Sequence, residues 1–124
     1  MTREPVIYSV DDDESVRDAF QLALVDEPCT VLTFPNGKKA VDHAQADRPD
    51  LVFLDLNMPV MDGVETLHHL HSIDPGIPVY IVTAFAEEYM ERLREAREKG
   101  LKFQLASKPI TDEQIRLIVS ALVG

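Results

Sequence analysis

The chain has 124 residues, 45% of them hydrophobic and 27% charged, a balance typical of one globular domain and not of a disordered chain. Its formal net charge of −10 disfavours direct binding to nucleic acid, because an acidic surface repels phosphate backbones. No apolar stretch has the length of a membrane span, no secretion signal is evident, and the single cysteine, Cys29, cannot form an internal disulfide. These features predict a cytoplasmic protein with no membrane partner.

Five apolar runs of strand length occur along the chain, and several of them are apolar nearly throughout. Such runs are typical of strands that helices cover on both faces in a parallel sheet. The predicted strands are Val6–Val10, Cys29–Phe34, Leu51–Asp55, Val79–Thr83 and Lys102–Ser107.

A segment of helical periodicity follows each predicted strand. Asp13 is a candidate N-cap, Gly100 a candidate C-terminal stop, and Thr111 with Gln114 has the spacing of a capping box. The predicted helices are about Glu14–Asp26, Lys38–Ala46, Gly63–Ile73, Ala86–Lys99 and a last helix that opens at Thr111.

Five alternating strand–helix units predict an α/β fold with right-handed crossovers. We expect a doubly wound five-stranded parallel sheet of order 2-1-3-4-5, sandwiched between helices as in flavodoxin-like proteins. A single domain would span residues 1–124.

Polar side chains interrupt the apolar runs where strands end: Asp11 and Asp12, then Asp55, Thr83 and Lys108. Because the carboxyl ends of parallel strands meet at one edge of the sheet, these side chains should converge. Two carboxylates 4 Å apart repel each other by about 4 kcal/mol at an effective dielectric constant near 20. A hard divalent cation such as Mg²⁺ would relieve that repulsion, and Lys108 adds a compact positive charge. The set suits an aspartate nucleophile that receives a phosphoryl group.

The chain resembles the receiver domain of two-component response regulators, in particular the CheY-like kind. Four motifs carry the resemblance, which extends over essentially the whole chain. They are Val10-Asp11-Asp12-Asp13, Leu54-Asp55-Leu56-Asn57-Met58-Pro59 with Asp62-Gly63, Val82-Thr83-Ala84 and Ser107-Lys108-Pro109.

The resemblance implies that Asp55 is the phosphorylated residue and, with Asp12, a direct Mg²⁺ ligand. The backbone carbonyl of Asn57 would be a third protein ligand, and Asp11 would hold a metal-bound water. It further implies a histidine kinase or a histidine phosphotransfer domain as the phosphodonor, docking on the first helix and the fifth βα loop. Beyond promoting its own phosphorylation and a slow autodephosphorylation, the chain would not be an enzyme.

Around the phosphoryl group, the resemblance implies a hydrogen bond from Thr83, an ion pair with Lys108 and room left by the small Ala84. A cis peptide bond before Pro109 is also expected. The outer face formed by the fourth helix, fifth strand and fifth helix is the expected surface for a homodimer or an output partner, and the apolar Leu117 and Ala121 fall there.

One position departs from the family pattern, because receivers usually carry Tyr or Phe where this chain has Leu105. Phe103 should share a face with Leu105, since side chains alternate along a strand. Phe103 either replaces the missing ring as a switch residue, or both side chains simply pack beneath the fourth helix.

Three other functions compete with this interpretation. A haloacid-dehalogenase-type phosphatase would need a second aspartate where this chain has Asn57, and Pro59 replaces its usual Thr. A flavin mononucleotide-binding module would need Ser, Thr or Gly donors after the first strand, where this chain has three aspartates. A receiver-fold module that signals without phosphorylation also stays open.

Overall fold

A computed structural model describes residues 4–84 and 86–123. Within them, five parallel strands form one sheet of order β2-β1-β3-β4-β5, which confirms the predicted topology. The strands are Val6–Val10 (β1), Thr30–Phe34 (β2), Leu51–Leu54 (β3), Val79–Thr83 (β4) and Gln104–Ser107 (β5).

The strand boundaries differ slightly from those predicted. The N–H of Cys29 donates to the carbonyl of Glu27 at 2.8 Å, so β2 begins one residue later, at Thr30. β5 begins at Gln104 rather than Lys102, and the carbonyl of Phe103 accepts a hydrogen bond from Arg97 at 3.1 Å. Apolar pattern alone does not reveal these local hydrogen bonds.

Helices cover both faces of the sheet, as the alternating pattern predicted. They are Glu14–Ala23 (α1), Gly37–Ala46 (α2), Gly63–Ile73 (α3), Ala86–Glu98 (α4) and Asp112–Val123 (α5). The side chain of Asp13 caps α1, and Thr111 and Gln114 form the predicted reciprocal hydrogen bonds at the start of α5. α1 is shorter than predicted, because the N–H of Val25 donates to the carbonyl of Leu22 and leaves the α-helical pattern.

Side chains alternate along the strands and build two apolar layers. One layer lies under α2, α3 and α4, and the other under α1 and α5. Burying each large side chain in them contributes about 1.5–3 kcal/mol. Among the fully buried side chains are Tyr8, Leu54 and Ile81 in the first layer and Ile7 and Ile115 in the second. The sheet is therefore a rigid platform that fixes where each strand ends. Within the described residues, no helix combines the length and the apolar character that a membrane crossing requires.

Candidate metal centre at the carboxyl edge of the sheet

Backbone hydrogen bonds extend past the strand ends and place the predicted site residues. The N–H of Asp55 donates to the carbonyl of Val10 at 3.0 Å, so β3 presents Asp55 directly beside the end of β1. The N–H of Lys108 donates to the carbonyl of Thr83 at 3.1 Å across β4 and β5. These residues therefore sit at fixed positions on one edge of the sheet.

The structure brings together the three aspartates that the sequence predicted. Carboxylate oxygens of Asp11, Asp12 and Asp55 lie within 4.8 Å of one another. Opposite ligands of an octahedral Mg²⁺ are about 4.2 Å apart, so small side-chain rotations would let Asp12 and Asp55 reach one ion directly and Asp11 reach it through a water. Asp11 and Asp55 are 4% and 5% exposed, whereas Asp12 faces solvent. The cluster is therefore buried on one side and open at Asp12.

Lys108 supplies the positive charge of the site. Its Nζ lies 2.7 Å from Oδ2 of Asp11 and 3.7 Å from Oδ2 of Asp55. Burial acts to lower the pKa of Lys108, but the hydrogen bond with Asp11 and the charges of Asp55 and Asp11 outweigh burial and raise it. The ammonium group is therefore charged at neutral pH and holds the two buried carboxylates together.

The surroundings of Asp55 disfavour its charged form and leave one of its carboxylate oxygens without a hydrogen bond from the described residues. Burial, followed by the charge of Asp11, raises the pKa of its carboxyl, against the opposing effects of Lys108, the N–H of Leu56 and the hydroxyl of Thr83. Its Oδ1 is buried and accepts no hydrogen bond from the described residues. Three carboxylates against the one ammonium group of Lys108 leave an excess of negative charge in this cluster. An oxygen-rich, anionic set with a buried unpartnered oxygen fits a divalent cation.

A cleft of about 470 Å³ lies beside Lys108 and is lined by Thr83, Ala84 and Ser107 among others. Thr83 is buried at the end of β4, and Ala84 is exposed beside it. The small side chain of Ala84 therefore lines open space beside Thr83 and Lys108. The peptide bond between Lys108 and Pro109 is cis, which confirms the expectation for that turn.

The segment between β3 and α3, residues 56–62, forms the rim of the site, and we call it the β3–α3 loop. The N–H of Gly63 donates to the carbonyl of Leu56 at 2.8 Å and closes the base of the loop. Asp62 caps α3 in a capping box with Glu65. Val60 has a φ of 70°, a left-handed conformation that β-branched residues rarely adopt.

The strain at Val60 gives a stability prediction. Since Val60 is 76% exposed, replacing it loses little buried surface. Asn tolerates the left-handed region, so Val60→Asn should raise the free energy of unfolding by about 1 kcal/mol. Urea denaturation measures the change, and Val25→Asn, at an exposed position on the other side of the molecule, is the control for polarity. A Val60→Asn protein no more stable than the native chain would show that the backbone carries no strain there.

The fourth helix reaches the β3–α3 loop through contacts that the sequence pattern did not predict. The two terminal nitrogens of Arg92 contact the two carboxylate oxygens of Asp62 at 2.7 and 3.1 Å. The hydroxyl of Tyr89 lies 3.4 Å from Oδ1 of Asn57. These residues are about 30 positions apart in the sequence, and local spacing gives no signal for such pairs.

The two candidate switch side chains of the fifth strand region occupy different environments. Phe103 is 8% exposed and packs in the core layer under α4, and the centre of its ring lies 4.4 Å from the guanidinium carbon of Arg97. Leu105 opposes Ile81 in the sheet and is 42% exposed. Phe103 therefore packs beneath the fourth helix, whereas Leu105 is partly exposed and lines a cleft beside that helix together with Met90 and Leu93. Leu117 and Ala121 are exposed on α5, as predicted.

A family model described as the response regulator receiver domain matches residues 7–120. The chain is 36% identical over 110 residues to sporulation initiation phosphotransferase F of Bacillus subtilis, an alignment that covers 89% of this chain and 86% of that protein. It is 34% identical over 121 residues to the probable transcriptional regulatory protein TcrX of Mycobacterium tuberculosis, with 97% of this chain but 50% of that protein covered.

Solved structures agree with the sequence relatives. The chemotaxis protein CheY4 of Vibrio cholerae superimposes with a TM-score of 0.81 and 26% identity, over 97% of this chain and 99% of that chain. The BeF3-activated receiver domain of nitrogen regulatory protein C gives a TM-score of 0.80 and 28% identity, over 98% and 96% of the two chains.

Proposed function

Because the chain belongs to the response regulator receiver domain family of two-component systems, we propose that Asp55 is its phosphoacceptor and that Mg²⁺ binds beside it. Asp12, Asp55 and the backbone carbonyl of Asn57 would be the ligands, and Asp11 would hold a metal-bound water. The buried, unpartnered Oδ1 of Asp55 next to two further carboxylates is the observation that carries this proposal.

Phosphoryl transfer at this site depends on position and charge. Asp55 attacks phosphorus, so a carboxylate O–P bond forms while the N–P bond to the donor's imidazole breaks and the imidazole nitrogen keeps the bonding pair. Lys108, already 3.7 Å from Asp55, pairs with an oxygen of the transferred group, and the hydroxyl of Thr83 donates to another. When bound, Mg²⁺ neutralises charge on the phosphoryl oxygens.

Response regulators receive their phosphoryl group from histidine kinases or phosphotransfer proteins, and a groove beside Lys108 supports docking of such a donor on this chain. The groove has a volume of about 550 Å³ and lies between α1 and the segment that leads into α5. Val16 and Ala19 line one side, and Pro109 and Ile110 the other. An apolar groove next to the phosphoacceptor would hold the donor helix at the distance needed for transfer.

For output, we propose that the face formed by α4, β5 and α5 contacts a second copy of the chain or an effector. Met90, Leu105 and Leu117 are exposed apolar side chains on these elements. Because Leu105 is not aromatic, coupling between Thr83 and this face would rely more on movement of α4. We place this signalling in the cytoplasm, with no direct binding to nucleic acid, in keeping with the net charge of −10.

Labelling with a small phosphodonor tests the proposal. In the presence of Mg²⁺, acetyl phosphate should add one phosphoryl group per chain, measured by intact mass, and EDTA should prevent the addition. Asp12→Asn should reduce the labelling rate about tenfold or more, since it removes a metal ligand, whereas Asp18→Asn on the exposed side of α1 should not change it. Labelling that is indifferent to EDTA, or turnover of a generic phosphate ester, would contradict the proposal and favour the phosphatase alternative.

A further inference from the structure

Two side chains of α4 contact the β3–α3 loop, and we call them the α4 anchor: Tyr89 and Arg92. Arg92 makes a bidentate ion pair with Asp62, and its guanidinium carbon lies 5.7 Å from the centre of the Tyr89 ring. Tyr89 in turn contacts the side chain of Asn57. Because residues i and i+3 of a helix lie on the same side, the anchor presents one continuous surface to the loop.

The backbone of the β3–α3 loop contains a strained residue, which contacts with neighbouring residues must hold in place. A non-glycine residue at a left-handed φ persists only where the surrounding structure determines it, and Val60 is such a residue in the middle of the loop. Val60 itself is exposed and cannot supply the packing. The N–H of Met61 donates to the carbonyl of Pro59 at 2.7 Å directly across Val60, and the hydrogen bond from Gly63 to Leu56 fixes the base of the loop. The α4 anchor holds Asn57 and Asp62, which lie on either side of that turn.

A carboxylate can rotate about its side-chain torsions to reach a metal ion, whereas a backbone carbonyl cannot. The direction of the Asn57 carbonyl is therefore set by the conformation of the loop. Whatever holds the loop also sets how well this carbonyl is aimed at the aspartate cluster, and pre-organised ligands bind more tightly than mobile ones.

We propose that Tyr89 and Arg92 are positioning residues that hold the β3–α3 loop for metal binding and thereby couple the occupancy of the aspartate cluster to α4. The inference rests on the proposed function, since it takes the Asn57 carbonyl as a ligand. Coupling is reciprocal, so if the anchor favours Mg²⁺ binding, then Mg²⁺ binding favours the anchored position of α4. The same helix carries Met90 on the proposed output face.

Titration of backbone amide resonances with Mg²⁺ measures both halves of the inference. Arg92→Ala should weaken Mg²⁺ binding about threefold or more, and Tyr89→Phe, which removes a single hydroxyl, about twofold. The control is Arg94→Ala, because Arg94 is exposed on the same helix and pairs with Glu91 rather than with the loop. This control should bind Mg²⁺ as the native chain does.

The response of α4 separates positioning from a purely structural role. On addition of Mg²⁺, amides in α4 should shift in the native chain and in Arg94→Ala, and by less than half as much in Arg92→Ala. Equal Mg²⁺ affinities for Arg92→Ala and Arg94→Ala would overturn the inference, even if Arg92→Ala were less stable.

Two outcomes distinguish a missing link between the α4 anchor and metal binding from a wrong proposed function. A native chain with no Mg²⁺-dependent shifts around Asp55 would overturn both. A native chain that binds Mg²⁺ and is labelled, while the anchor variants match it in affinity and in the α4 response, would overturn the inference alone.

Discussion

Replacing Asp55 by asparagine is expected to make the metal-free protein more stable at neutral pH while abolishing phosphoryl labelling. Both effects come from the loss of one carboxylate, whose charged form is disfavoured by burial and by the charge of Asp11. For an acid whose pKa is raised by folding, ionisation costs stability, so the native chain should gain stability as the pH falls through the pKa of Asp55. Asp55→Asn should lack that gain. At a pH above the pKa of Asp55 the variant should be more stable than the native chain, by roughly 1 kcal/mol at pH 7.

The substitution does not leave the charge of Lys108 without a partner. Its ammonium group remains 2.7 Å from Oδ2 of Asp11, so the buried positive charge keeps a hydrogen-bonded partner. This distinguishes Asp55→Asn from most disruptions of a buried ion pair, in which the orphaned charge dominates the cost. Asparagine also retains the volume of aspartate, so no cavity is created.

Magnesium should reverse the order of stability between the two proteins. At a free concentration ten times its dissociation constant, a ligand stabilises the folded state by about 1.4 kcal/mol. The native chain should show this increase, and Asp55→Asn should not. Urea denaturation in EDTA and in Mg²⁺, across a pH series, measures each effect. Asp18→Asn makes the same change of charge on the exposed side of α1 and should behave as the native chain. An Asp55→Asn protein less stable than the native chain in EDTA at pH 7 would refute this account.

The sequence predicted those parts of the site that depend on where strands end. Apolar runs stop at Asp11, Asp55 and Thr83, and a parallel sheet brings such residues together whatever the details of packing. The strand order and the two apolar layers follow from the same alternating pattern. Resemblance to a family added the cis bond before Pro109, which local pattern does not indicate.

Other features depended on geometry that local pattern does not contain. The ion pair of Arg92 with Asp62 requires the rotation of α4 about its axis and the path of the β3–α3 loop together. The left-handed φ of Val60 runs against the preference of its residue type, so propensity argues for the wrong conformation. The 42% exposure of Leu105 likewise depends on how its neighbours pack in three dimensions, which no spacing in the sequence encodes.

At Gly63 one added methyl group should do severe damage. A Cβ atom there would lie 2.2 Å from the backbone oxygen of Asp55 and 2.7 Å from the Cα of Leu56. Both neighbours are backbone atoms, which cannot rotate away as a flexible side chain can. Overpacking of this kind costs about 1–3 kcal/mol, and the loss for Gly63→Ala should be at the upper end of that range.

The damage should extend from stability to chemistry, because the clash falls on the phosphoacceptor itself. To relieve it, the backbone at Asp55 must move away from α3, or the start of α3 must move and break the hydrogen bond from Gly63 to Leu56. Either shift disturbs the carboxylate of Asp55, whose Oδ2 now lies 3.7 Å from Nζ of Lys108. Labelling of Gly63→Ala by acetyl phosphate should therefore fall at least tenfold under conditions in which the variant is folded, as monitored by circular dichroism.

Gly76→Ala is the matched control for this prediction. At Gly76 the nearest atom to an added Cβ is a carboxylate oxygen of Asp74 at 3.2 Å, on a side chain that can adjust, and the residue is exposed. The control should therefore lose less than about 1 kcal/mol and keep its labelling rate. Equal losses in the two variants would mean that alanine is tolerated poorly at glycine positions in general. A Gly63→Ala protein that is folded and labelled at the native rate would mean that the contact between α3 and the backbone of Asp55 is looser than the structure has it.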